Sequence, residues 1–246
     1  PPSQTDIAVI GAGLSGLYAA RILKRAGLGV RIFEARDRVG GRTWSHPLGE
    51  GVVDLGGQWL GPHQLRARAL VEELGGVLEP SFSHGQKVLD LNGRIIRYKG
   101  TIPRISIGSL ARLQWTIYRL NKLSKRVPCG APWSAPRARE WDAVTLQEWL
   151  CTTAVHAETI ALFNSAIQVI FGADSSELSL LHVLHYVHQS GGLRNLIEME
   201  GGNKQLRIKG GAHQLSEWLS GDLSVELRSP VQRVECSSDG CVVHTK

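Results

Sequence analysis

No stretch of about 20 consecutive apolar residues occurs in the sequence, so this segment holds no membrane-spanning helix. No secretory signal stands at its start, since a charged leader, an apolar core and a small-residue cleavage site are all missing. Localisation stays open, with the cytoplasm favoured. Cysteine is scarce. Its four occurrences, Cys129, Cys151, Cys236 and Cys241, form neither a CxxC pair nor a metal-ligand spacing and read as reduced thiols. Cys236 and Cys241 flank Ser237-Ser-Asp-Gly240, a hairpin turn signal that would make them cross-strand neighbours, but spacing alone does not establish disulfide geometry. His182, His185 and His188 lie three apart without the i, i+4 spacing and carboxylate of a zinc helix, so no metal is assigned and hydrogen-bonded core positions are expected. Internal repeats and low-complexity tracts are absent as well, which excludes solenoids and fibrous chains.

What remains is a chain of 246 residues, 42% hydrophobic and 20% charged, with 28 glycines. That composition suits a globular α/β protein with one large core or two smaller ones. A net charge of +6 would suit an acidic partner. The distribution argues otherwise, because Lys122, Lys125 and Arg126 punctuate a segment from 109 to 127 whose Leu110, Leu113, Ile117 and Leu120 recur at helical spacing. Those cations belong to a solvated helix face, and no nucleic-acid partner is expected.

The chemistry-bearing pattern lies near the N-terminus. Ile7 to Ile10 is a β-branched run of the kind that fills a buried parallel strand. Gly11-Ala-Gly13-Leu-Ser-Gly16 follows, with Gly11 permitting the tight turn, Gly13 the approach of a pyrophosphate, and Gly16 close packing of the next helix. That helix is expected from about Ser15 to Ala26, with Leu17, Ala20 and Leu23 toward the sheet and Gly27 as its stop. Phosphates would sit over its N-terminus. A second strand, Val30 to Phe33, delivers Glu34, 18 residues after Gly16, where a carboxylate can accept both ribose hydroxyls. Arg36, Arg38 and Arg42 surround the turn Val39-Gly40-Gly41, placing cations and small residues beside a bound diphosphate and pointing to FAD rather than a nicotinamide cofactor.

Glu34-Ala-Arg-Asp-Arg-Val-Gly-Gly-Arg-Thr43, with Asp54-Leu-Gly-Gly-Gln-Trp-Leu-Gly-Pro62, resembles the flavin-dependent amine oxidase family in its monoamine oxidase branch. Ala131-Pro-Trp133, Glu140-Trp-Asp142, Tyr186 to Gly192, Gly201-Gly202, Gly210-Gly211 and Ser229-Pro-Val231 extend the resemblance over almost the whole chain. It implies that Glu34 takes the adenosine ribose, that Ser15, Arg36 and Arg42 hold the diphosphate side near Gly41, and that Gly56, Gly57, Gln58 and Trp59 line the flavin. It also implies that Val231 meets the adenine through its backbone. For the substrate cavity it points to Val169, Ile170, Leu196, Ile197 and Asn203. The four aliphatic residues read equally well as plain core, because a gap near Gly192 leaves the register open.

The implied activity is oxidation of an amine to an imine, which water hydrolyses to an aldehyde, while oxygen becomes hydrogen peroxide. The partners implied are a small-molecule amine and oxygen, with a homo-oligomer left open. The chain begins Pro1-Pro2 and stops at Lys246, so it is expected to be about the N-terminal half of such an enzyme, completed by a C-terminal half or partner chain. Catalytic residues are expected beyond Lys246.

The organisation expected is a Rossmann-like FAD-binding domain interrupted by a mixed α+β substrate domain rich in helices. Residues 1–79 would carry its first segment, 80–202 the substrate domain and 203–246 the returning segment. Within the middle part a short β segment, Lys87 to Tyr98, precedes helices that include a capping box at Thr145-Leu-Gln-Glu148. Two further helices are expected over 154–171 and 179–189, and strands over 225–227, 231–236 and 241–245. Two other readings stay open: an L-amino-acid oxidase, which must clamp a carboxylate with arginine, and a non-catalytic FAD-binding fragment. The Gln58-Trp59 pair after Gly56-Gly57, where the amino-acid oxidases usually carry Met-Arg, favours the amine.

Overall fold

The computed structural model describes residues 4–91, 93–100, 105–154 and 156–246. The chain divides into two compact units, one formed by 1–60, 64–80 and 206–246, the other by 61–63 and 81–205.

The first unit opens with strand β1 (Ile7–Ile10), helix α1 (Leu14–Arg25) and strand β2 (Val30–Phe33). β1 pairs with β2 in parallel, Ile7 opposite Val30 and Ile10 opposite Phe33. A parallel pair needs a crossover, and α1 supplies it. Its Leu17 and Ala20 are fully buried in one cluster with Ala12 and Ile32, so the apolar stripe of the helix covers the sheet. The helix ends one residue before its expected limit, at the Ala26 cap, and Gly27 follows with φ +86°.

Next come a hairpin, β3 (Ser45–Leu48) against β4 (Gly51–Asp54), then β5 (Trp59–Leu60), α2 (Leu65–Glu73) and β6 (Leu78–Pro80). None of these had a clear periodic signal, because each element is short.

The second unit contains the hairpin β7 (Lys87–Leu91) and β8 (Arg94–Tyr98), then α3 (Ile107–Ser124), α4 (Ala138–Asp142), α5 (Leu146–Thr153), α6 (Ala157–Phe171), α7 (Leu180–Gln189) and α8 (Leu193–Ile197). One hydrophobic core unites these helices through Leu120, Trp141, Trp149, Phe163, Ile167 and Leu184. The expected helix over 154–171 begins later. Ala154 closes α5 by donating its N–H to Leu150, and His156 takes an extended conformation as the cap of α6; Val155 lies outside the described residues.

The chain then returns to the first unit as β9 (Leu206–Ile208), α9 (Gln214–Ser220), β10 (Ser224–Glu226), β11 (Val231–Ser237) and β12 (Gly240–Thr245). β10 joins β2 in parallel, giving the order β1-β2-β10, while β9 is the centre of an antiparallel β5-β9-β6 sheet. β11 and β12 form a hairpin of their own. The return starts at 206 rather than 203, and 61–63 group with the second unit. The reason is local: Gly61 lies so close to Asn203 that a β-carbon on it would stand 2.6 Å from the Asn203 side-chain oxygen. Among the described residues no helix is long and apolar enough to cross a membrane.

Candidate functional site

Glu34 ends β2 only 7% exposed, a setting in which a carboxylate is costly unless hydrogen-bonded. Two backbone groups meet that need: the Ala12 N–H donates to Oε2 at 2.7 Å and the Arg36 N–H to Oε1 at 2.9 Å. Neither donor is a cation. Each oxygen keeps further lone-pair capacity, so the carboxylate is held in place and still able to accept from a neutral diol.

The turn before α1 faces the same chemistry. Gly11 has φ +95°, a conformation that a side chain would strain, and its N–H donates to the Phe33 carbonyl at 2.8 Å. Gly13 caps α1 with no side-chain hydrogen bond, and the first turn holds no acidic residue. A β-carbon on Gly11 or Gly13 would meet nothing within 4 Å. That open space lies at a helix N-terminus whose first N–H groups have no intrahelical acceptors, and an anion fits it. Ser15 is exposed on this turn. Gly16 acts differently, since any side chain there would run into the Gly11 carbonyl.

The arginine loop closes over the turn. Gly13 and Gly40 form an isolated parallel bridge, which sets Gly41 beside Gly13. Arg36 donates from Nη1 to the Gly41 carbonyl at 3.1 Å. Arg38 donates to the carbonyls of Val39, Gly41 and Thr43 at 3.1–3.2 Å and stands 5.0 Å over the Trp44 ring. Arg42 is exposed, and its guanidinium has no hydrogen-bond or ion-pair partner among the described residues. Its backbone is fixed instead: the Gly57 N–H donates to the Arg42 carbonyl at 3.0 Å, and Gly56 lies too close to that carbonyl to bear a side chain. Gln58 is half-buried and Trp59 is 40% exposed as β5 begins. The Ser229 N–H donates to the Glu34 carbonyl and that of Arg228 to Arg36, both at 2.8 Å, so Val231 enters β11 from the Glu34 end of β2.

The sequence reading missed the groups that lock this loop. Ser45 hydrogen-bonds Asp54, whose carboxylate accepts the Ala212 N–H at 3.0 Å, and the His213 N–H donates to Ser45 Oγ at 3.0 Å. His213 also contacts the Thr43 carbonyl at 3.2 Å through Nδ1. Asp54 opens the Asp-Leu-Gly-Gly run, a visible signal; its partner Ala212 lies 158 positions along the chain and had none.

In the second unit a cavity of about 830 Å³ opens between the hairpin and the helices, lined by Leu89, Ile117, Phe163, Val169, Ile170 and Ile197 among others. Three of the five candidate substrate residues therefore line one cavity. Leu196 does not. It is 3% exposed within the helical core, since successive residues of α8 are rotated by about 100° and so face different surroundings. Asn203 also lies off the lining; it packs against Gly61 with its side-chain oxygen buried and lacking a donor.

The lining also carries Tyr98, Arg194, Glu198 and Lys204. Glu198 stands 4.0 Å from Lys87 and 3.9 Å from Arg194. Burial, then the Glu198 charge, pushes the Tyr98 phenol up, while burial, then Lys87, pulls the Lys204 ammonium down. The helix histidines are not core: His188 Nδ1 lies 2.7 Å from the Val127 carbonyl and His185 Nε2 lies 2.9 Å from that of Cys129, both half-buried, while His182 is exposed and packs edge-on to Phe171.

Residues 14–246 match the sequence pattern of the family described as flavin containing amine oxidoreductase. The chain belongs to the flavin-containing amine oxidoreductases. A flavin is accordingly the cofactor of this oxidoreductase family. One relative is a putative flavin-containing monoamine oxidase, AofH, of Mycobacterium tuberculosis, 37% identical across 99% of this chain and 54% of its own length. The flavin-containing amine oxidase A of Sus scrofa is 35% identical across 98% of this chain and 47% of its own. Among solved structures, cyclohexylamine oxidase from Brevibacterium oxydans superposes with a TM-score of 0.91 at 28% identity, covering 99% of this chain and 55% of that one. Putrescine oxidase bound to putrescine gives 0.88 at 30%, covering 100% and 55%. This family member thus spans about half the length of the relatives it matches.

Proposed function

We propose that the first unit is a Rossmann-like FAD-binding fold and that the protein oxidises amines to imines, hydrolysed to aldehydes, with oxygen reduced to hydrogen peroxide. The observation that carries the cofactor reading is the pairing of a buried, backbone-fixed Glu34 with an uncapped, open helix N-terminus at Gly13. The first accepts a ribose diol; the second holds a diphosphate. Arg42, unpartnered and beside the Gly56–Gly57 segment, adds a cation to the diphosphate side, and Ser15 adds a hydroxyl. Val231 offers its backbone to the adenine. Gly56, Gly57, Gln58 and Trp59 would line the flavin ring.

FAD, when bound, supplies the two-electron acceptor. The second unit contributes an open pocket: Val169, Ile170 and Ile197 present apolar walls suited to the body of an amine. Such walls favour the neutral amine over the ammonium, because an unpaired charge is expensive to desolvate. Val169, at 62% exposed, and Ile197, at 37%, still have apolar surface to cover when a ligand enters. The test is an FAD titration of the protein and of Glu34→Ala, followed by peroxide release with cyclohexylamine, benzylamine and putrescine. Saturable flavin binding lost in Glu34→Ala supports the cofactor site; no flavin uptake by the unaltered protein would remove it. Because the chain spans about half the length of its relatives, peroxide release is measured with the remaining half supplied, and release with none of these amines under that condition would remove the activity.

A further inference from the structure

We propose that Cys236 and Cys241 form a thiol pair that hydrogen peroxide oxidises to a reversible disulfide across the β11–β12 hairpin. The two residues are direct register partners, one step from the turn closed by Ser237 and Gly240. Both are free and exposed. Strand alternation puts Val234 and Val243, themselves register partners, on the same face, so each thiol has the other as its polar neighbour there. Hydrogen bonding in which the Cys241 thiol donates to Cys236, then burial, raises the Cys241 thiol above its ordinary value. Cys129 and Cys151 lie on other elements and have no such partner across a strand.

The geometry makes the bridge labile. Directly opposed residues hold their β-carbons about 4.5–5.5 Å apart, whereas a relaxed disulfide wants about 3.5–4.5 Å. Closing it draws the two strands together, and the strain favours reduction. The enclosed loop, Ser237 to Gly240, is also too short for its closure to add much stability. A reversible pair follows, not a structural staple.

The oxidant is the peroxide of the proposed amine oxidation. The Cys236 thiolate attacks one peroxide oxygen; the O–O bond breaks, hydroxide leaves and takes up a proton as water, and a sulfenic acid remains. Cys241 then loses its proton and attacks that sulfur. The S–S bond forms, the S–O bond breaks, and a second water leaves. Two thiols have lost two electrons and one peroxide has gained them.

The experiment adds hydrogen peroxide directly, so its outcome does not depend on whether the protein oxidises amines. After alkylation, trypsin cuts after Arg233 and Lys246 and leaves both cysteines on one peptide. The expected result is a peptide that takes no alkylating agent and is lighter by two hydrogen atoms, formed before Cys129 or Cys151 reacts and reversed by dithiothreitol. Cys236→Ser and Cys241→Ser should each halt at a sulfenic acid on the remaining cysteine, trapped by a 1,3-diketone. Full alkylation of both residues at peroxide doses that oxidise Cys129 or Cys151 would overturn the proposal. A parallel arm supplies amine and oxygen in place of peroxide to the protein completed by the remaining half of the oxidase. If only that arm fails, the oxidase reading is at fault and the thiol pair stands.

Discussion

In the proposed FAD site Glu34 and Arg42 would do different work, and single substitutions separate them. Glu34→Ala removes an acceptor that two backbone N–H groups hold in place. Charge-assisted hydrogen bonds of about 1.5–3 kcal/mol each are lost, so FAD affinity should fall tenfold or more, read by flavin fluorescence titration. Arg42→Lys keeps the charge and loses the planar fork. The folded protein should purify with less flavin, whereas a full flavin complement would make Arg42 a solvated surface charge. Leu196 and Ile197 offer a sharper contrast because they are adjacent. Leu196→Ala empties a core position, 3% exposed, and should cost about 2–5 kcal/mol in denaturant unfolding. Ile197→Ala should cost much less stability and instead change KM among amines of different bulk, since its side chain lines the cavity.

Among the elements, α5 shows local sequence writing its own boundary. Thr145 Oγ1 accepts the Glu148 N–H at 3.1 Å while Glu148 accepts the Thr145 N–H at 2.8 Å, a reciprocal capping box. Thr145→Ala should lower stability by about 1 kcal/mol. The Thr145 backbone hydrogen bond, then that of its side chain, holds the Glu148 carboxyl below its ordinary 4.5. A depressed carboxyl stabilises the fold above its unfolded value and loses that contribution as pH falls through its folded value. The acid limb of the stability curve should therefore flatten in Glu148→Gln below about pH 4.5, compared by urea titration. α1 and its turn were as legible as this cap, because strand, glycine spacing and helix period all agreed. β3, β4, β5 and β9 were not. Strands of two to four residues carry too little alternation to be read, and β9 is a strand only because β5 and β6 flank it.

At the scale of the molecule, the first of the two compact units is the proposed target of FAD. Ligand present at about 100 times its Kd stabilises the state that binds it by about 2.7 kcal/mol. Amide exchange should therefore slow at the turn before α1 and along β2 when FAD is added. Equal slowing over α5 and α7 would mean that the ligand stabilises the chain globally.

The sequence by itself determined the first βαβ unit, Glu34 at its end, the glycines of the turn, the Thr145 cap and the opposition of Cys236 to Cys241. All rest on contacts within a few tens of residues, where side-chain type and spacing set the geometry directly. Only the tertiary structure decided that β10 joins β2, that Ala212 and His213 lock the arginine loop through Asp54 and Ser45, and that Ile197 lines a cavity while Leu196 fills a core. These depend on which distant segments meet, and neighbouring leucine and isoleucine look alike until a helix is set in place and points one inward and the other into open space.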